Sequence, residues 1–250
     1  MKKSLIIVFL VFGSQLFASD NLLLIEQANK YYDESEYSLA VETYETIINN
    51  GFESDKLYYN LGNAYFKLNN LPMAIFYYEK AKKLNPYDAD ILFNLEIANG
   101  RIIDKIEPVP QFFLFKWWDL LVKSRTMEQW ARVSIFSFII FLVMALVFLL
   151  ARLVWLRKTG FWVGVLSLAL FILSFILANQ QYNSFNHRSE AIIFTPTVTV
   201  KSSPRDNSTD IFVIHEGLKV QLTNQVGDWY EIKIADGSKG WIKENDVKLI

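Results

Sequence analysis

Two charge-free stretches limit what this chain can fold into. Val133 to Ala151 is a run of 19 residues, and Thr159 to Ala178 a run of 20, with no Asp, Glu, His, Lys or Arg in either. Each, as a helix, is long enough to cross a bilayer core of about 30 Å. A helix is also required there, because backbone groups in lipid have no water to satisfy them. Arg152, Arg157 and Lys158 lie between the runs, flanked by Trp155 and Trp162, so residues 133–151 and 159–178 read as a helical hairpin with a basic tip. The tip favours the cytoplasm, although Lys123, Arg125 and Arg132 near the other end weaken that preference. Neither run offers an ionisable group at mid-membrane, which argues against a proton or ion pathway. Ser134, Ser137, Ser167 and Ser174 are assigned to helix packing instead.

The N-terminus supplies the orientation. Lys2 and Lys3 precede a mostly apolar stretch from Ser4 to Phe12, and Ala18 is a small residue suited to cleavage. Residues 1–18 therefore read as a secretory signal peptide, with an uncleaved anchor as the alternative. Either sends the following segment out of the cytoplasm, and two spans return the C-terminus to the same side. The expected location is a bacterial inner membrane, with both flanking parts in the periplasm. The chain has no cysteine, so it has no disulfide, thiolate metal site or cysteine nucleophile.

Between Ser19 and Pro108 there are 15 acidic and 8 basic residues, which excludes a basic nucleic-acid footprint. The same segment repeats with a period of 34. Ala28, Tyr31, Ala40, Tyr44 and Ile47 recur as Gly62, Tyr65, Ala74, Tyr78 and Ala81, and Pro86 follows. Small residues let two antiparallel helices approach, and the tyrosines fill the space between them. Asn69-Asn70 marks the inter-helix turn, and Pro86 ends the second helix. This spacing of residue types closely resembles the tetratricopeptide repeat. Residues 19–108 are thus predicted to be an all-α array, with a capping helix near Asp88 to Gly100. The resemblance implies a concave groove lined by Asn29, Tyr32, Asn60, Asn63 and Phe66, where Asn amides would bind an extended peptide. Versions that clamp a terminal carboxylate need Lys or Arg where this chain has Ile25, Asp90 and Asn94, so carboxylate capture is not expected. The first repeat is acidic (Glu26, Asp33, Glu34, Glu36, Glu42, Glu45 and Glu53 against Lys30), which is either a solvated face or a preference for a basic partner.

Residues 109–132 carry Phe112, Phe113, Phe115, Trp117, Trp118 and Trp130 among Lys116, Lys123 and Arg125. Too charged to span, this stretch reads as an amphipathic helix in the headgroup region. A polar linker is expected at 179–190. From Ala191 the apolar pattern has period two, with strand-like pieces at Thr197–Val200, Ile211–Ile214, Lys219–Thr223, Trp229–Ile234 and Gly240–Ile242. Glu216-Gly217 and Asp236-Gly237 are turn signals. The stretches HEGLKVQL, GDWYEIKIADGSKGWI and DVKLI resemble bacterial SH3-like domains, which implies a small all-β barrel over 191–250. Its candidate ligand surface is Trp229, Tyr230 and Trp241; the competing assignment puts at least two of these rings in the core.

No chemistry-bearing constellation emerges. His187 and His215 are the only histidines, and neither has a metal partner at ligand spacing. There is no phosphate-cradling loop or nucleophile elbow. We therefore expect no enzyme activity, no metal and no cofactor. The full order, including DKIEPVPQFFLFKWW from Asp104 to Trp118, is similar to the BatE family of the Bacteroides aerotolerance operons. That resemblance implies a scaffold in an inner-membrane complex linked to aerotolerance and envelope stress. Its implied partners are von Willebrand A-domain membrane proteins, encoded beside a MoxR-type ATPase. The alternative is a sensor or tether binding peptidoglycan through the SH3-like barrel.

Overall fold

The computed structural model describes residues 21–110, 112–187 and 190–250. The signal-peptide stretch 1–18 lies outside the described residues. The chain divides into two compact units, one combining the repeat region with residues from Ser189 onward, the other spanning Val109–Arg188.

The first unit begins with a helix over residues 21–33 (α1). Next come α2 (Tyr37–Asn49), α3 (Asp55–Lys67), α4 (Leu71–Leu84) and α5 (Ala89–Asn99). Local signals start and stop them. Ser54 caps α3 by accepting from the Leu57 amide at 3.1 Å, and Asn70 caps α4 by accepting from Met73 at 3.2 Å. Asp88 caps α5 by accepting from Asp90 and Ile91. Ser35 and Asn69, 34 positions apart, both take the left-handed backbone (φ 65° and 59°), so the same turn joins the helices of both repeats. Ala28, Ala40, Ala74 and Ala81 are completely buried, as the repeat requires. Gly62 shows why one position must be smaller still: a Cβ there would lie 2.7 Å from the Tyr78 ring.

Helix α5 repeats the first helix of the motif without its second. Leu95 and Ala98 are buried like Leu61 and Ala64. At the position of Gly62, however, stands Glu96, and Leu92, equivalent to the buried Tyr58, is 40% exposed. The face that would receive another helix is thereby made polar, and α5 caps that layer.

The other layer is capped by the barrel. Its strands are β1 (Glu190–Ile193), β2 (Thr197–Lys201), β3 (Asp210–His215), β4 (Lys219–Val226), β5 (Trp229–Lys233), β6 (Lys239–Lys243) and β7 (Val247–Leu249). They form one antiparallel sheet in the order β3-β2-β6-β5-β4-β1-β7. The sequence reading misses β1 as a strand because Ala191, Ile192 and Ile193 are all fully buried. This strand contributes to the barrel interior and also packs on α4, so it shows a continuous apolar run with no alternation. The turn glycines Gly217 and Gly237 both have positive φ (85° and 92°).

The repeats and the barrel share one hydrophobic core. Phe76 of α4 meets Phe194 edge-on at 6.1 Å, with the Lys248 ammonium 4.7 Å from the Phe76 ring. Gly217 seats Ile102 so closely that a Cβ would come within 2.7 Å of its side chain. Glu79, only 6% exposed, accepts from Lys219 of β4 at 2.9 Å, and Lys219 also reaches Glu190 at 2.6 Å. Burial alone would lower the Lys219 amine, but the two carboxylates outweigh it and hold its pKa above the ordinary lysine value. In the first repeat the equivalent acid, Glu45, accepts instead from Tyr65 and Tyr77 of the second repeat. Asn99 stands in α5 where Tyr65 stands in α3, and the barrel's lysine partners Glu79 instead.

The second unit contains α6 (Phe113–Lys123), α7 (Met127–Leu150) and α8 (Val154–His187). Two of these helices, over Met127–Leu150 and Val154–Tyr182, are long and apolar enough to cross a membrane. Ser134, Ser137, Ser167 and Ser174 are buried; Ser167 and Ser174 donate to carbonyls of their own helix. Three expectations change. α7 starts at Met127, with Thr126 and Gln129 forming a capping box, so Trp130 and Arg132 belong to the long helix. Arg157 and Lys158 are the fourth and fifth residues of α8, not part of a loop. The expected linker at 179–190 is helix up to His187 and strand from Glu190. Two of its polar residues bind within this unit: Gln180 accepts from the Trp118 indole at 2.7 Å, and Gln181 donates to the Arg125 carbonyl at 2.7 Å.

Two substitutions test this packing. Gly62→Ala is expected to lower stability by about 1–3 kcal/mol through overpacking against Tyr78, read from denaturant unfolding of the detergent-solubilised protein. Lys219→Met is expected to cost about 3 kcal/mol, because it strips Glu79 of its closest partner while the acid stays buried. Lys82→Ala, which removes a half-exposed partner 3.7 Å from the same acid, is expected to change stability by less than about 1 kcal/mol. Equal effects of the two lysine changes would contradict the assigned role of Lys219.

Candidate functional site

The first helices of successive repeats (α1, α3 and α5) carry a hydrogen-bonded ladder. Asn29 Oδ1 accepts from the Tyr44 hydroxyl at 2.5 Å and from Asn60 Nδ2 at 3.2 Å. Thirty-four residues on, Asn63 Oδ1 accepts from the Tyr78 hydroxyl at 2.7 Å and from Asn94 Nδ2 at 2.9 Å. Asn94 Nδ2 also donates to the Tyr59 hydroxyl at 2.9 Å. The repeat thus duplicates a polar network as well as a core. One tyrosine from the second helix fixes the asparagine of the first, and the next repeat's asparagine closes the bond.

Beside this ladder lies a concave cavity of about 330 Å³, lined by Asn29, Tyr32, Asp33, Tyr44, Asn60 and Asn63. Four of the five groove residues named from sequence therefore come together here. The fifth, Phe66, does not line the cavity; it is half-buried beneath the Arg101 guanidinium, 4.4 Å from the ring centroid. Sequence reasoning left out Asp33 and Tyr44 as lining groups. Adding 34 to Asn60 would have found Asn94 as a member of the ladder.

The geometry changes what the asparagines offer. Both amide oxygens of Asn29 and Asn63 are occupied internally, so these residues cannot accept from a bound peptide without breaking the ladder. Their Nδ2 groups make no hydrogen bond among the described residues and remain as donors. The expected two-way recognition by these two side chains reduces to donation toward a carbonyl.

The tyrosine hydroxyls are held neutral. Burial raises the Tyr44 and Tyr77 phenols to about 12, with nearby Asp33 contributing at Tyr44 and Glu45 at Tyr77. Tyr58, Tyr65 and Tyr78 move in the same direction, again chiefly through burial.

On the barrel, the three named aromatic residues separate. Tyr230 points inward at 8% exposure, and its hydroxyl donates to Glu244 at 3.3 Å. Trp229 and Trp241 are half-buried on the other face, with the Lys243 ammonium 5.5 Å from the Trp229 ring and Glu231 paired across from Trp241. His215, for which the sequence offers no metal-ligand spacing, meets Asp104 in space. The Asp104 carboxylate lies 2.9 Å from His215 Nδ1 and accepts from the His215 amide at 2.6 Å. This ties the segment after the repeats to β3. His187 is the last residue of α8.

The comparisons with known families agree with these modules. The tetratricopeptide repeat family matches residues 56–88, the α3–α4 pair, and the bacterial SH3 domain family matches residues 196–248. No curated protein matches the chain.

The raised phenols set a pH window. Neutral tyrosine is favoured in the folded state, so this contribution is complete below pH 10.0, the ordinary phenol value, and is lost as pH rises through about 12. Helicity of the solubilised protein is expected to fall over that range together with the appearance of tyrosinate absorbance. Tyrosinate forming fully near pH 10 with helicity intact would show that the buried ladder does not form.

Proposed function

We propose that this chain is a non-enzymatic membrane scaffold that presents a peptide-binding groove and an SH3-like barrel on one side of a bacterial inner membrane. The observation that carries this reading is the shared core of the repeats and the barrel. Residues 21–108 and 190–250 fold as one body, although two helices apolar enough to span a membrane lie between them in sequence. A chain that leaves this body, enters a bilayer and returns to the same body crosses an even number of times. A two-pass arrangement meets that condition, and the basic residues Arg152, Arg157 and Lys158 at the far end of the hairpin suit its cytoplasmic side. With the N-terminal reading of a signal peptide, the body lies in the periplasm.

Both matched families are built for interaction: repeats of this kind bind proteins, and bacterial SH3 domains bind proteins or cell-wall peptides. In this reading the groove holds a periplasmic segment of a partner, von Willebrand A-domain membrane proteins being the class implied by the BatE-like organisation. The aerotolerance and envelope-stress role rests on that same resemblance. One observation favours a second reading, a peptidoglycan tether. Trp229 and Trp241 lie half-exposed on the barrel face away from Tyr230, beside Lys243.

The test is cross-linking of the full-length protein in native membranes, followed by affinity recovery and mass spectrometry. Recovery of von Willebrand A-domain membrane proteins is expected, reduced severalfold by Asn63→Ala with Tyr32→Ala, both of which line the cavity, and unchanged by Trp241→Ala. Recovery of cell-wall fragments alone, lost with Trp241→Ala, would replace the scaffold by the tether.

A further inference from the structure

The 34-residue register places one side chain of each repeat at equivalent points along the groove, and these rows change character from end to end. One row reads Asn29, Asn63, Ile97; the next reads Ile25, Tyr59, Phe93; a third reads Asp33, Lys67, Arg101. Adjacent first helices are bridged by side chains: Asn60 to Asn29 between α1 and α3, and Asn94 to Asn63 between α3 and α5. The rows therefore run across neighbouring helices.

At the α1 end, Asp33 is the one charged group among the described residues that line the cavity. It is exposed and has no ion pair among the described residues. The Asn29 and Asn63 Nδ2 donors lie on the same wall. At the α5 end the ladder stops, because Ile97 stands where Asn29 and Asn63 stand in the repeats. Phe93 is 63% exposed and Ile97 37% exposed, one turn apart on the same helix face. Asn94, their neighbour on α5, reaches into the ladder, and Arg101, four residues beyond Ile97, covers Phe66. An apolar, aromatic floor with a cationic edge thus continues an acidic, amide-rich one.

We propose that this groove selects an extended peptide with a lysine or arginine at one end and a large apolar side chain at the other. The cation would lie against Asp33, backbone carbonyls would accept from Asn29 and Asn63 Nδ2, and the apolar side chain would cover Phe93 and Ile97. Neighbouring helices pack about 10 Å apart, so the three first helices span roughly 20 Å. An extended chain rises about 3.3 Å per residue, which separates the two anchors by about six residues. Charge selects the occupant: a free carboxylate or acidic residue at the α1 end would face Asp33 among the acidic side chains of the first repeat. The inference rests on the groove being the binding site of the proposed scaffold, and it adds what that site recognises.

The test uses the full-length protein in detergent and synthetic peptides with both ends blocked. Each carries a lysine and a phenylalanine about six positions apart in a serine–glycine background. Binding is read by fluorescence anisotropy at low and high salt. Replacing the peptide lysine by glutamate is expected to weaken binding about tenfold at low salt and less at high salt. Asp33→Lys is expected to reverse that preference. Phe93→Ala with Ile97→Ala is expected to abolish the advantage of phenylalanine over serine and leave the lysine preference in place. A preference for acidic peptides or for a free C-terminal carboxylate, lost with Asn63→Ala, would overturn this specificity and keep the groove as a binding site. Peptide binding that Asn63→Ala, Asp33→Lys and the Phe93 and Ile97 changes all leave untouched would overturn both.

Discussion

The architecture depends on the burial of α4 beneath the barrel. A tetratricopeptide array has no natural end: each helix pair leaves an apolar face for the next, and an uncovered face in water costs free energy in proportion to its area. Here the two layers end differently. The first-helix layer is closed by α5, where Glu96 replaces the glycine needed for another close approach. The second-helix layer is closed by β1, the 215–218 turn and Phe194, which cover Ile75 and Phe76. Lys219 makes the substitution chemically complete, since it gives buried Glu79 a partner where Glu45 has two tyrosines.

That single contact has consequences beyond stability. It makes the barrel a part of the repeat domain, so what one module binds is held at a fixed position relative to the other. It also uses some of the barrel's surface, leaving the Trp229 and Trp241 face available. The His215–Asp104 pair adds a second tie, from the segment that follows α5 to β3. Such ties join two parts of the chain that two long apolar helices separate in sequence.

The groove shows a similar economy of means. Its asparagines first build the molecule, since their oxygens organise the tyrosines of the second helices and link one repeat to the next. In the proposed binding mode, recognition is left to the amide hydrogens, to Asp33 and to the apolar end. Because the ladder is internally satisfied, it presents a fixed array of donors, and less ordering is needed when a peptide arrives.

Much of this was legible in the order of residues. The period of 34, the small residues and the tyrosines specify the helix pairs, because packing distance depends directly on side-chain size. The two charge-free runs specify long apolar helices, and the period-two stretch with its Gly217 and Gly237 turns specifies an antiparallel barrel. The resemblance to the tetratricopeptide repeat also implied Asn29, Tyr32, Asn60 and Asn63 as groove residues, and these four line one cavity. What it could not decide was every relation between distant segments. β1 was hidden because a strand buried on both faces loses its alternation. The helix through 179–187 was hidden because polar residues there satisfy partners brought close only by folding, as Gln180 does for Trp118. The pairs Lys219–Glu79 and His215–Asp104 join residues more than a hundred positions apart. Local propensity carries no record of such neighbours, so the joining of barrel and repeats into one body belongs to the tertiary structure alone.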